Sequence, residues 1–192
     1  MPSLLTKRAL LSLIDLSRAL TLAQVIRGVA VVRNLSHNLI INSLQAIKQG
    51  NINWVKNQLG HHTNRFLNLL NSLGLWDPMI GLSALAQRIL NASSSMQYVY
   101  MRKVLSRWEP MKVFREYLSI VESAEPDDII NDLGWAMIIR TKELIRLGLI
   151  TWTQKPFAKP FNKHIVTAIL LRLGSEYGLV QPSGGRVYLA KI

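Results

Sequence analysis

The side chains in this sequence best suited to chemistry are amides, hydroxyls and cations. They concentrate in the stretch Asn57-Gln-Leu-Gly-His-His-Thr-Asn-Arg-Phe-Leu-Asn-Leu-Leu-Asn-Ser-Leu-Gly-Leu-Trp76. Thr63, Asn64, Arg65, Asn68 and Asn71 fall on its polar positions, while Phe66, Leu69, Leu70 and Leu73 supply an apolar face. Arg, Asn and Thr are side chains that hydrogen-bond phosphate oxygens and base edges. The chemistry they suit is recognition of a polyanion, not bond-making. His61 and His62 are adjacent, lack the i, i+4 spacing of a helical metal site and have no third ligand nearby, so no metal is expected.

Enzyme constellations are missing from the pattern. The sequence has no phosphate-cradling glycine loop, no His-Glu metal motif and no serine in a glycine elbow. Acids cluster between 109 and 132, but Glu122, Glu125, Asp127 and Asp128 sit where helix-start residues belong. A nuclease would need carboxylates for magnesium, and the basic half has only Asp15 and Asp77. The expectation is a non-enzymatic protein with no cofactor and no small-molecule substrate.

Charge points the same way. Of 192 residues, 23 are Lys or Arg and 11 Asp or Glu, a formal charge of +12. Residues 1–108 hold twelve of the cations against two acids, and residues 109–192 hold eleven against nine. A half nearly free of carboxylates attracts polyanions. Charged residues are nevertheless only 18% and hydrophobic ones 49%, where about 25% charged is usual. Such sparse charge suggests surface covered by a partner or by other copies of the chain. There are no cysteines, hence no disulfides or thiolate metal sites. No apolar run reaches about 18 residues, so no membrane span is expected. The start resembles a targeting segment only superficially, because Lys7-Arg8 lies inside its apolar run and Asp15 interrupts it.

The elements that must position these groups follow from spacing. From Leu4 to Ile47 there is no proline, and Leu10, Leu13, Ile14, Leu16, Leu20, Val25, Ile26, Val29 and Val32 recur at helical intervals. This region reads as two or three helices with breaks near Leu20 and Leu35, or as one long arm. Thr21 with Gln24 forms a capping box, and Ser36 caps a further segment. Lys7, Arg8, Arg18, Arg27 and Arg33 along it are either a solvated face or a track for phosphates. Ile52 to Gln58 is a short helix, Ser83 caps another, and Asn91-Ala-Ser-Ser-Ser95 is a linker. Met96 to Trp108 carries Arg102, Lys103 and Arg107 beside Tyr98 and Tyr100. Lys155, Lys159 and Lys163 lie in a proline-broken loop that Phe157 and Phe161 anchor. Asn162 caps a last helix ending near Gly174, and two apolar runs around Pro182-Ser-Gly-Gly185 form a hairpin with Arg186 next to its tip.

The Thr-Asn-Arg stretch also has a counterpart. Leu59-Gly60 is followed fourteen residues later by Leu73-Gly74, and Leu133-Gly134 by Leu147-Gly148 at the same interval. Each copy reads as a helix stopped by glycine, a turn, a second helix and a glycine stop. With the leucine, small polar residue and helix that follow at Leu82-Ser83, the pattern resembles the winged-helix superfamily over roughly 36–90 and again 111–189. The glycine interval is about a turn shorter than that family leads one to expect, which implies a truncated helix. The second copy replaces the polar turn with Trp135, Met137, Ile138 and Ile139, leaving Arg140, Lys142 and Arg146 as its cations, and suits packing better than groove reading.

The expected fold is therefore mainly α, with tandem helix-turn-helix (winged-helix-like) units and a small C-terminal β-hairpin. The regions are a basic amphipathic helical part (1–50), a first unit (51–92) and a second unit with the hairpin (96–192). The expected partner is nucleic acid, double-stranded DNA before RNA, held by Lys7, Arg8, Arg18, Arg27, Arg33, Thr63, Asn64, Arg65, Asn68, Arg102, Lys103, Arg107 and Arg186. Self-association is also expected. Two roles fit: a regulator of transcription or replication in the cytoplasm or nucleoid, or a DNA-packaging subunit such as the coat of a filamentous virion or a chromatin-like protein.

Overall fold

A computed structural model describes residues 4–26, 29, 34–151 and 161–191. The chain begins with two short helices, α1 (Lys7–Leu13) and α2 (Leu16–Val25). They separate at Ile14 because Asp15 caps the second one, accepting from Arg18 N at 2.7 Å. The long arm is thus not formed, and the break falls at Ile14–Asp15, not at Leu20. Thr21 does not cap anything: it lies inside α2 and its hydroxyl donates to Ser17 O. Both helices dock on the C-terminal half, α1 against the helix Pro126–Arg146 and α2 against that helix and Glu109–Val121.

Ser36 caps α3 (His37–Lys48) by accepting from Leu39 N, as its position in the sequence indicates. Asn51 caps α4 (Ile52–Leu59) in the same way through Trp54 N. Gly60 then takes φ +55 and a single 3₁₀ turn, Gly60–His62, leads into α5 (Thr63–Ser72). Gly74, at φ +71, stops α5, and Leu75 N returns to Leu70 O, closing the helix end with a glycine in the left-handed region. The exit forms a two-residue hairpin, β1 (Trp76–Asp77) with β2 (Gly81–Leu82), before Ser83 caps α6 (Ala84–Leu90). Helices α7 (Ser94–Arg107) and α8 (Glu109–Val121) follow, with Trp108 as the hinge between them.

The second Leu-Gly copy does not repeat the first. A continuous helix, α9 (Pro126–Arg146), runs straight through Gly134. A capping box between Glu125 and Asp128 opens it, and buried Ile129, Leu133, Ala136, Met137 and Leu144 maintain its apolar stripe. Only the terminal stop is shared: Gly148 sits at φ +71 and Leu149 N reaches Leu144 O, the same bonds as at Gly74. The turn expected at Gly134 is corrected accordingly. A Cβ on Gly134 would meet only Phe161 O at 3.9 Å, an ordinary contact, so nothing there demands glycine.

The last helix, α10, opens at Lys163–Ile165, continues as a π-helical stretch Val166–Leu173 and closes at Gly174–Glu176. Asn162 caps it through Ile165 N at 2.9 Å. It passes through Gly174 and stops at Gly178 (φ +65). A side chain at Gly174 would lie 3.1 Å from both Met111 Cε and Val180 Cγ2, so α8, α10 and the final hairpin meet closely there. That hairpin, β4 (Val180–Ser183) with β5 (Arg186–Leu189), gains a third strand, β3 (Ser123–Ala124), on the free edge of β5. The core joins residues from α1 to β5, with Phe66, Phe114, Tyr117 and Phe161 among its largest buried side chains.

Candidate nucleic-acid interface

The α4–turn–α5 unit presents part of the expected face. Asn64, Arg65, Asn68 and Asn71 are exposed along α5, opposite buried Phe66, Leu67, Leu69 and Leu70. Thr63 is not on that face. It is buried, and its hydroxyl donates to Gly60 O at 2.7 Å, locking the turn that orients α5. The C-terminal half of α5 is partly screened, because Gln24 and Val25 of α2 share a cleft with Asn68, Asn71 and Ser72. Asn64 and Arg65 are the open end.

Two expected phosphate ligands belong to the scaffold. Arg18 Nε donates to Glu109 Oε1 at 2.7 Å, and its two terminal nitrogens bond Glu116 at 2.6 and 2.8 Å. The guanidinium therefore clamps α2 to α8; the hydrogen bond with Glu116 raises the Arg18 pKa and lowers that of Glu116. Arg186 bonds Ser123 through Nε and a terminal nitrogen, both at 2.9 Å, and lies 3.5 Å from Glu125, pinning β5 to β3. Arg102 is half-buried and donates to Gly178 O at 3.2 Å. Arg140, which the sequence left as a cation of the second copy, instead bonds Leu11 O and Ile14 O at the end of α1. Long side chains near carboxylates or helix ends are drawn into such contacts. Arg27, Arg33, Lys155, Lys159 and Phe157 lie outside the described residues.

Eight cations of the basic half remain exposed among the described residues. Lys7, Arg8, Lys48, Lys56, Arg65, Arg88, Lys103 and Arg107 are all exposed, and none belongs to an ion pair among the described residues. Lys7 lies 5.7 Å from the centre of the Trp135 ring. Both acids of this half are turned onto their own backbone: Asp15 caps α2, and Asp77 accepts from Met79 N at 2.7 Å and Ile80 N at 3.1 Å. That leaves the tip of the β1–β2 hairpin, Met79 and Ile80, 90% and 83% exposed.

A groove of about 460 Å³ runs between the end of α5, α6 and α7, and Arg88, Lys103 and Arg107 line it together with Tyr100, Ser72 and Leu85. Ser72 also borders the α2–α5 cleft, so the amide face of α5 and the cationic groove adjoin. The sequence missed Arg88. It also grouped Arg102 with Lys103 and Arg107, although Tyr100, Lys103 and Arg107 recur at i, i+3 and i+7 on one face and Arg102 does not.

No group of three or more metal-ligating residues exists among the described residues. No helix there is long and apolar enough to cross a membrane. No protein-family model matches the chain, and comparisons with curated proteins and with solved structures return no match.

An aromatic cluster, buried at His37 and Tyr177 and exposed at Tyr98, joins the basic half to the last helix. His37, the first residue of α3, stacks on Tyr98 at 3.8 Å, its Nδ1 meets the Tyr177 hydroxyl at 2.8 Å, and its backbone N–H donates to Glu176. Burial lowers the His37 pKa, against the opposing pull of Glu176.

Proposed function

We propose that this chain binds double-stranded DNA without catalysing a reaction, through phosphates along its basic half. The open end of α5 is directed to a groove, in the manner of a regulator of transcription or replication. The observation that carries the reading is the set of exposed, unpaired cations around α5, α6 and α7, in a half whose two carboxylates are both engaged by their own backbone. A solvated face normally mixes signs and forms i, i+4 pairs; this one does neither. The turn locked by Thr63 supports a reading element, because it fixes the angle at which Asn64 and Arg65 project.

The packaging role is the second reading. A long basic arm would favour it, whereas α1 and α2 are short helices docked on α8 and α9 with Arg18 turned inward. Sparse charge and the apolar hairpin tip still favour an assembled form, and self-association in the cytoplasm, nucleoid or a virion belongs to that reading. Selection of bound duplexes from a random pool separates the two. A regulator enriches one site by about 10³-fold or more over random DNA; a packaging subunit enriches none and covers a fixed number of base pairs per chain. Failure to retain any duplex at low salt would refute both.

A further inference from the structure

A wall of the cationic groove holds a buried polar group that lacks an acceptor. Trp108, one of the residues lining it, is only 4% exposed, and its indole Nε1 is buried with no hydrogen-bond partner. Indole nitrogen can only donate, and a buried donor left unpaired is costly, so native proteins rarely tolerate one. The three cations on the same walls, Arg88, Lys103 and Arg107, are likewise unpaired.

The nearest acid in sequence does not serve them: the Glu109 carboxylate bonds Arg18 at 2.7 Å and Lys112 at 3.1 Å. The carbonyls at the end of α5 do not serve them either. Leu69 O, Leu70 O and Asn71 O already accept from Leu73, Leu75 and Gly74, and no hydrogen bond among the described residues joins these carbonyls to Arg88, Lys103 or Arg107. A neutral ligand would leave three cations unmatched, and a carboxylate offers only two oxygens. A phosphoryl group supplies three or four oxygens and suits donors converging from several directions. Tyr100 adds an aromatic wall, and the volume lies within the roughly 300–1,000 Å³ of small-ligand sites.

We infer that the α5–α6–α7 groove is a phosphoryl-binding site in which Arg88, Lys103 and Arg107 hold the anion, and that binding turns the Trp108 indole so that its buried N–H donates to one of the oxygens. The inference goes beyond duplex binding, because the phosphoryl group can come from a nucleic-acid backbone or from a free polyphosphate.

The indole N–H resonances of the five tryptophans report on this directly, with Trp108 assigned by its loss in Trp108→Phe. The probes are inorganic pyrophosphate and, separately, a 20-base-pair duplex, both at constant ionic strength. A saturable downfield shift of the Trp108 resonance with pyrophosphate is the expected result. Affinity should fall about tenfold or more in Lys103→Gln/Arg107→Gln, since two charge-assisted bonds are lost. These are surface substitutions that leave the core intact even if Trp108→Phe folds poorly. A shift with duplex alone assigns the phosphoryl group to a nucleic-acid backbone and also upholds the site. If neither probe moves the resonance while anisotropy shows duplex binding, the groove site is wrong and the DNA reading stands. If neither moves it and no duplex binds, both fall.

Discussion

Arg18 separates the structural account from the simpler view that every cation in the basic half awaits phosphate. Its side chain is 19% exposed, as is 15% of Glu109, whereas 49% of Glu116 is in water. Removing one partner of a fully buried pair costs about 3–5 kcal/mol, and an exposed pair is worth about 0–1 kcal/mol. Arg18→Ala leaves a mostly buried Glu109 with Lys112 as its one remaining ion-pair partner, releases Glu116 at little cost and removes a packed stem, so about 2–3 kcal/mol is expected. For a chain of this size that lowers Tm by roughly 5–10 °C.

Urea denaturation at pH 7 measures the loss, and its pH dependence checks the cause. The Glu116 pKa is held down in the folded state by Arg18, so its contribution is present above the ordinary carboxylate pKa. It disappears as pH falls through the folded value. The gap between the native chain and Arg18→Ala should therefore narrow below about pH 4. At temperatures where both are folded, duplex affinity should agree within about twofold, as for a residue that touches no phosphate. A stability change under about 0.5 kcal/mol combined with a large loss of DNA affinity would refute the clamp.

Other outcomes follow from particular positions. Gly134→Ala should be neutral or stabilise by up to about 1 kcal/mol in thermal denaturation, because alanine suits a helix interior; a turn at that point would make it destabilising. Gly74→Ala and Gly148→Ala should each cost about 1–2 kcal/mol, since both glycines hold φ +71. Stability should fall as pH drops below about 6.5, because His37 is buried neutral with a lowered pKa while the unfolded chain takes up a proton; His37→Phe should flatten that slope. Met79→Ser/Ile80→Ser should leave Tm unchanged, as the tip packs on nothing, and its effect on sedimentation tests self-association.

The sequence revealed local stops better than distant partners. Leu73-Gly74 and Leu147-Gly148 both end helices with the same backbone bonds, a one-turn event that a dipeptide specifies. The other Leu-Gly pairs diverge through their neighbours. Gly60 is followed by His61, His62 and Thr63, weak helix formers whose threonine closes the turn. Gly134 is followed by Trp135, Ala136 and Met137 within a helix already capped at Glu125, and one glycine costs such a helix only about 1 kcal/mol. Spacing alone could not separate them. Caps at Ser36, Ser83 and Asn162 were legible because donor and acceptor lie three residues apart. The duties of Arg18 and Arg186 were not, because their partners lie 91, 98 and 63 residues away. The groove stayed hidden for the same reason, since Ser72, Arg88 and Trp108 converge only in the fold.

The salt dependence of duplex binding tests the central claim most directly. Lys48, Lys56, Arg65, Arg88, Lys103 and Arg107 surround α5 to α7, and engaging four to six phosphates would give log Kobs against log salt a slope of about −4 to −5. Lys103→Gln/Arg107→Gln should flatten it by about 2, while Arg18→Ala leaves it unchanged. An unchanged slope in the double variant, or a flattened one in Arg18→Ala, would contradict the account.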